Sequence, residues 1–395
     1  MNILFYRYGS ICEPDILEVF HKLQFQVFED TLEITEKNLP VSKRLASLTA
    51  ILETHPIDFV FSINFFPFLS TLCERLHMLY LCLSVDCPVL ELFSDTLRND
   101  CNRIFLFDYA QYERFLPQNP DCIFYLPLAT NTNRWDQVLS EFSPTEDTAY
   151  RHEISFIGSL YHEKSPLSLL NSSPLSEYGE GYADGLIEAQ LKIFGSNFLE
   201  DAVSDEFVQE LKEQFPDFPQ VPNPHSDTDR YVAAHYYLGM RAAETERIRT
   251  LNLLAKEFPV ALYTRSDTSL LQGVECLGGV STHTEMPVIF RTSKINLNIT
   301  MRPIQTGLSL RIWDILGCGG FLLSNYQAEI PEYFTDGREL VCYESPADLM
   351  EKVRYYLAHE DIRREIARNG YEKVKQLHTW EHRIAAMLSM VFTDP

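Results

Sequence analysis

Basic residues are scarce: 33 Lys and Arg stand against 56 Asp and Glu in 395 residues, a formal charge of −23. So acidic a chain is a poor partner for nucleic-acid phosphates or an anionic membrane surface. Long apolar runs are missing too. The richest stretch, Phe59 to Cys73, is interrupted by Pro67 and polar residues, which argues against a membrane span. Cysteine is present in odd number, nine, with no C-x-x-C pair, so reduced buried thiols and a cytoplasmic location are expected. The N-terminus, MNILFYRYGS, has no basic region ahead of an apolar one and predicts no signal peptide. His162, His283, His378 and His382 show no metal-ligand spacing with Cys or acids, so no bound metal is expected.

What is present is apolar mass, 45% of residues with 12% aromatic, enough for sizeable cores in two or three domains. Short apolar runs alternate with amphipathic stretches. Strands are predicted at 3–8, 25–29, 58–63, 79–85, 103–107 and 123–126, with helices such as 13–23, 42–53 and 68–75 between them. Strand–helix alternation of this kind reads as βαβ units and a parallel sheet. A polar stretch with Pro144, residues 131–150, reads as a linker after a first domain at 1–130. The pattern restarts at 151–365 with strands at 154–157, 260–263, 275–277, 295–299, 320–323 and 340–343. Helices are expected there at 243–257, 285–292, 308–316, 346–358 and 361–377. Residues 165–240 interrupt this second domain as a mainly helical insertion, with helices at 184–194 and 205–215 and the proline-rich FPDFPQVPNP. Residues 366–395 form a helical tail expected to pack back on the first domain.

The segment richest in chemistry is KINLNITMRPIQTGLSLRIWDILGCGGFLLSNYQAEIPEYF. It reads strand, loop, helix, glycine turn, strand. In an open α/β sheet, ligands gather at the carboxyl ends of strands, where the next helix points its N-terminus. The loop ending at Thr306, with Gly307, Leu308 and Ser309 opening a helix, therefore predicts an anion site. Arg311 can add a guanidinium fork for phosphate oxygens. Asp314, at i+3 from Arg311, can accept two hydrogen bonds from a ribose diol. An ordinary i,i+3 surface pair is the alternative for these two residues.

The run from Ser293 to Arg383 resembles the C-terminal domain of the CgeB-like (spore-maturation-type) glycosyltransferases, themselves similar to glycosyltransferase family four. The resemblance rests on Asp314-Ile315-Leu316-Gly317-Cys318-Gly319, Ala328-Glu329-Ile330, Phe334-Thr335-Asp336-Gly337, Ala367-Arg368-Asn369-Gly370 and His378-Thr379-Trp380-Glu381-His382-Arg383. Residues 1–290 resemble the N-terminal region that accompanies this domain. The resemblance implies an α/β fold of the GT-B type, two Rossmann-like domains facing across a cleft, with the nucleotide sugar held mainly by the second. It also implies transfer of a hexose or N-acetylhexosamine from a nucleoside diphosphate sugar, a UDP-sugar being expected, to a protein or glycan acceptor. Many family-four enzymes carry Glu-x7-Glu, whose first Glu meets the transferred sugar; here Thr306 stands in its place.

Gly158, Ser159 and Tyr161 follow the first strand of the second domain, where resembling enzymes approach the diphosphate. Lys164 and Arg247 are candidates for neutralising phosphate charge. The loops at Tyr263-Thr264-Arg265-Ser266-Asp267 and Gly278-Gly279-Val280 are expected to hold the base. In the first domain, Gly9 and Ser10 end the first strand on the acceptor side. Asp86, before Pro88, ends the fourth strand and is the candidate catalytic group of this domain, a general base if transfer inverts the sugar, with Arg311 stabilising the leaving diphosphate. The insertion, apolar at Leu186, Ile187, Leu191, Phe207, Val208 and Leu211, is a candidate for acceptor docking or homodimer formation. Rival readings are an epimerase or phosphorylase on the same fold, or a non-catalytic nucleotide-sugar binder.

Overall fold

A computed structural model describes residues 1–142, 147–169, 175–220 and 228–392. The chain divides into two units. The first holds residues 1–130 and 378–392, and the second holds the described residues from 131 to 377. Pro144 and residues 221–224 of the proline-rich stretch lie outside the described residues.

The first unit contains strands β1 (Asn2–Tyr6), β2 (Gln26–Asp30), β3 (Phe59–Ile63), β4 (Leu79–Leu83), β5 (Asn102–Leu106) and β6 (Ile123–Tyr125). They form one sheet in the order β2-β1-β3-β4-β5-β6. Every pairing is parallel, with Leu4 opposite Phe28 on one side and Val60 on the other. Helices cover parallel sheets on both faces, so central strands lose the usual alternation and become continuously apolar. β3, FVFSI, is accordingly buried along its whole length. The chain returns to this unit at His378, where Trp380 N–H donates to the Thr130 carbonyl at 3.1 Å. Helix Trp380–Phe392 then brings Glu381 to Lys22 at 3.0 Å.

The second unit contains β7 (Ile154–Ile157), β8 (Val260–Tyr263), β9 (Glu275–Cys276), β10 (Ile295–Asn298), β11 (Leu322–Asn325) and β12 (Val341–Tyr343). Their order, β12-β11-β10-β7-β8-β9, is that of the dinucleotide-binding Rossmann sheet, with the first strand in the middle and the chain reversing direction between β7 and β10. Buried polar groups on β10 are satisfied across the sheet. Asn296 Nδ2 donates to the Phe290 carbonyl at 2.8 Å, and Ser155 Oγ donates to Asn296 Oδ1 at 2.9 Å. Gly320 makes this packing possible, because a Cβ there would lie 2.5 Å from the Phe290 oxygen and 2.7 Å from Asn296 Nδ2. Gly320→Ala should therefore cost about 1–3 kcal/mol through overpacking. Urea denaturation checks this, and an unchanged midpoint would mean that the turn relaxes freely.

Several expectations need correction. Residues 131–150, expected as a linker, hold helix Thr132–Glu141, capped by Asn131 Oδ1 on the Arg134 N–H at 3.1 Å and anchored by Trp135, which is 2% exposed. Its polar composition reflects a helix with one buried face. Helix Glu360–Leu377 runs through the expected boundary at 365. In the insertion, the first helix is Glu177–Gln190, starting seven residues early because Ser176 caps the Gly179 N–H at 3.0 Å. Of the insertion's apolar residues, Ile187, Phe207, Val208 and Leu211 are buried within the chain, while Leu186 and Leu191 are half-buried. Helix Leu310–Gly317 starts two residues later than expected, since Ser309 is extended at ψ 151° and serves as its N-cap. Among the described residues, no helix is long and apolar enough to cross a membrane.

Candidate functional site

The reversal between β7 and β10 fixes where a ligand would sit, at the carboxyl ends of the strands. A cavity of about 400 Å³ lies there. Gly158 and Ser159 after β7, the Thr264–Ser266 segment after β8, Gly279 after β9 and Arg311 on the helix after β10 all line it. The structure thus brings together residues more than 150 positions apart in sequence. Gly279 is needed for the Arg265 side chain, since a Cβ would lie 2.6 Å from Arg265 Nε.

Two guanidinium groups charge this end of the sheet. Arg311 lies over the Phe290 ring at 5.4 Å and touches the Met286 sulfur. Burial pulls its pKa down, Asp314 counters that, and nearby Arg247 adds to it. Arg247 is 8% exposed and stacks on the Tyr161 ring at 4.3 Å. Its Nη1 donates to the Ser159 carbonyl at 2.5 Å and its Nη2 to the Ile299 carbonyl at 2.6 Å, while its Nε is buried without a partner. Burial lowers its pKa as well. Among the described residues neither arginine forms an ion pair, although Asp314 and Glu246 lie near enough to favour their charged forms. Arg247 therefore braces the Gly158 loop from beneath, a role that its position in the sequence does not announce.

The other expected residues are placed as follows. Tyr161, at φ +70°, supports Arg247 and does not line the cavity; Lys164 packs over the Tyr161 ring at 5.2 Å. Gly307 and Leu308 are buried under the loop. Ser309 Oγ lies 3.4 Å from Asn298 Oδ1. Asp314 is 5% exposed and is not among the residues lining the cavity. The only carboxylate among the described lining residues is Glu163, which accepts from Ser159 Oγ and, at 3.0 Å, from Ser266 Oγ. Burial pushes its pKa up, but these hydrogen bonds and a backbone N–H outweigh it and hold it below the usual range. Thr306 Oγ donates to Glu329 Oε1 at 2.7 Å, so a carboxylate that is 7% exposed stands beside the position where Thr replaces Glu.

In the first unit, the sheet reverses between β1 and β3. Asn64, following β3 at φ +60°, organises this end. Its Nδ2 donates to Asp86 Oδ2 at 2.6 Å and to Tyr8 Oη at 2.8 Å, and its Oδ1 accepts the Val85 N–H at 2.9 Å. The exposed Asp86 carboxylate is thus held by a side chain that sequence reasoning missed, beyond the proline turn. Burial, reinforced by Asp86, pushes the Tyr8 phenol pKa well up, keeping it protonated. Gly9 and Ser10 follow β1 in a loop closed on the chain's own carboxylate. Their N–H groups, with that of Tyr8, converge on Oε1 of fully buried Glu13 at 2.9–3.0 Å.

No group of three His, Cys, Asp or Glu among the described residues is placed to hold a metal ion. An Asp-x-Asp does occur at Asp227-Thr228-Asp229; Asp227 lies outside the described residues, and Asp229 pairs with Lys212 at 2.6 Å.

No curated protein is similar enough to match the chain. Solved structures are similar over nearly the whole length. A glycosyltransferase from Rickettsia africae superposes with a TM-score of 0.53 at 11% identity, covering 100% of this chain and 99% of that one. Sucrose-phosphate synthase from Thermosynechococcus elongatus gives 0.54 at 12%, covering 99% and 97%. HepE of Anabaena, in complex with UDP and glucose, gives 0.52 at 11%, covering 99% and 100%. The two parallel sheets have the GT-B architecture of these proteins, and residues 242–389, which include Arg247, Arg311, Asp314 and Glu329, match the family described as glycosyl transferase-like.

Proposed function

We propose that the protein is a glycosyltransferase that takes a hexosyl or N-acetylhexosaminyl group from a UDP-sugar and delivers it to a protein or glycan acceptor. The observation that carries this reading is the pair of buried guanidinium groups, Arg247 and Arg311, which form no ion pair among the described residues, beside the cavity of about 400 Å³ at the strand reversal of a Rossmann sheet. The glycosyl transferase-like match over residues 242–389 and the UDP complex of the Anabaena relative support it. The CgeB-like motifs around Asp314, Glu329 and Trp380 support the finer family assignment.

In this mechanism, Gly158 and Ser159 admit the diphosphate, and Arg311 stabilises negative charge as the leaving group departs. Preorganised positive charge in a dry site is worth more than in water, because nothing must reorient during the reaction. The segments at Thr264–Ser266 and Gly279 take the base. Thr306 and Glu329 face the transferred sugar, and Asp86 of the first unit takes the acceptor proton. Asp314 and Glu163 are the two candidates for the ribose diol. Calorimetry of UDP against its 2′,3′-dideoxy analogue in Asp314→Ala and Glu163→Gln identifies the one that loses discrimination.

Arg311→Gln tests the proposal directly. Hydrogen bonds to charged groups contribute about 1.5–3 kcal/mol, so UDP affinity should fall roughly 10- to 100-fold while uridine affinity stays unchanged. Equal losses for both ligands would make Arg311 a structural residue and remove the diphosphate reading.

A further inference from the structure

The amino ends of the same strands, opposite the donor cavity, carry a second concentration of positive charge. Two adjoining cavities, of about 860 and 400 Å³, share Arg291, Thr292, Gly319, Arg364 and Ala367 and form one groove. Arg151 precedes β7, Ser293 and Lys294 precede β10, and Gly319 precedes β11, which fixes the groove to this edge. Six cationic residues line it against three acidic ones among the described residues, in a chain of net charge −23. The acids are largely engaged. Asp136 accepts from Tyr371 Oη at 2.7 Å and from Lys375 Nζ at 2.9 Å, and Glu360 pairs with Arg364.

Among the described residues, Arg151, Arg291 and Arg368 pair with no carboxylate, and Arg363 bonds only the Tyr356 carbonyl. Arg151 and Arg368 form no hydrogen bond or ion pair among the described residues. Arg291 reaches only the Gly319 carbonyl, at 3.5 Å. It lies across Gly319, where a Cβ would meet Arg291 Nη1 at 2.0 Å, so the turn is bare on the side where this guanidinium rests. The second observation is Ser293. The residue is 6% exposed and lines the same groove, and its buried hydroxyl has no hydrogen-bond partner among the described residues. A buried hydroxyl left unpaired is costly unless something external completes it.

We propose that this groove binds a small soluble anion carrying two or more phosphoryl groups, at a site separate from the donor cavity. Guanidinium forks match phosphate oxygens in pairs, and the three free ones come from three separate segments, more than one phosphoryl group can engage. The Ser293 hydroxyl, buried at the groove wall, would turn toward the ligand to donate a further hydrogen bond. The site stands without the proposed transferase activity, because none of its residues lines the donor cavity.

Inorganic tripolyphosphate is the probe, titrated calorimetrically into the protein with and without saturating UDP. The expected result is one equivalent bound with UDP saturating, and no fewer without it. Replacing Arg151, Arg291 and Arg368 together by Gln should weaken binding by at least about 100-fold, and Ser293→Ala alone by about tenfold, with UDP affinity unchanged in both. In the presence of saturating UDP, the groove equivalent should be unaffected by Arg311→Gln. Mutual exclusion of UDP and tripolyphosphate, or unchanged affinity in both groove variants, would overturn the separate site. Orthophosphate binding as tightly as tripolyphosphate would overturn the multiple phosphoryl groups. Arginine-dependent sedimentation with phosphatidic acid vesicles, without tripolyphosphate binding, would overturn a soluble ligand. If UDP fails to bind while tripolyphosphate does, the donor reading falls and the groove stands.

Discussion

Asp86→Asn should lower kcat by about 10²–10⁴ and leave UDP affinity unchanged, the pattern of a lost general base. The substitution is nearly isosteric. An Asn side chain keeps an oxygen to accept the hydrogen bond that Asn64 Nδ2 makes to Asp86 at 2.6 Å, so the loop after β4 retains its support. What disappears is the ability to take a proton from an acceptor hydroxyl. Donor hydrolysis and transfer, measured separately, distinguish the outcomes. Transfer at the wild-type rate would remove Asp86 from the mechanism, and parallel loss of UDP binding would point to damage beyond the acceptor side.

Glu329→Gln is the second large effect. The Thr306 hydroxyl donates to Glu329 at 2.7 Å, and a Gln amide oxygen can accept the same bond, so the loop keeps its shape while losing one negative charge. Hydrogen bonds to sugar hydroxyls that strengthen in an oxocarbenium-like transition state supply several kcal/mol in glycosyl chemistry. At about 1.4 kcal/mol per decade, kcat should fall roughly 10²-fold or more, with UDP affinity intact because Glu329 does not line the cavity proposed for the nucleotide. A comparable loss of UDP binding would mean that Glu329 maintains the Gly307 loop instead.

Much of the architecture was legible because a parallel sheet buried on both faces writes itself as apolar runs. β7, Ile154–Ile157, and β8, Val260–Tyr263, lie where the apolar runs predict them, and helix Pro346–Ala358 likewise. Helix Thr132–Glu141 was hidden because only one face is buried, and its charged remainder resembles a linker. In the site, Gly158, Ser159 and Arg311 follow from strand ends and helix starts, which are local signals. Asn64, Glu163 and Glu329 do not. Each acts on a partner that only the fold supplies: Asn64 holds Asp86, 22 residues on, and Glu329 meets Thr306, 23 residues back. Arg247 gives no local hint of burial, since it sits in a helix rich in charge and reaches Ser159 across 88 residues.

The buried Glu13 beneath Tyr8, Gly9 and Ser10 has a consequence for how the two Rossmann-like units divide their work. A loop of converging N–H groups after the first strand of such a sheet is a receptor for an anion. In the first unit that receptor is already filled by the chain's own carboxylate, on three N–H groups at 2.9–3.0 Å and on Arg7 Nε at 3.0 Å. A tethered occupant competes at an effective concentration that a free phosphate in solution does not match. The loop after the first unit's β1 is thereby engaged by the chain itself, and under the proposed function the nucleotide falls to the second sheet alone.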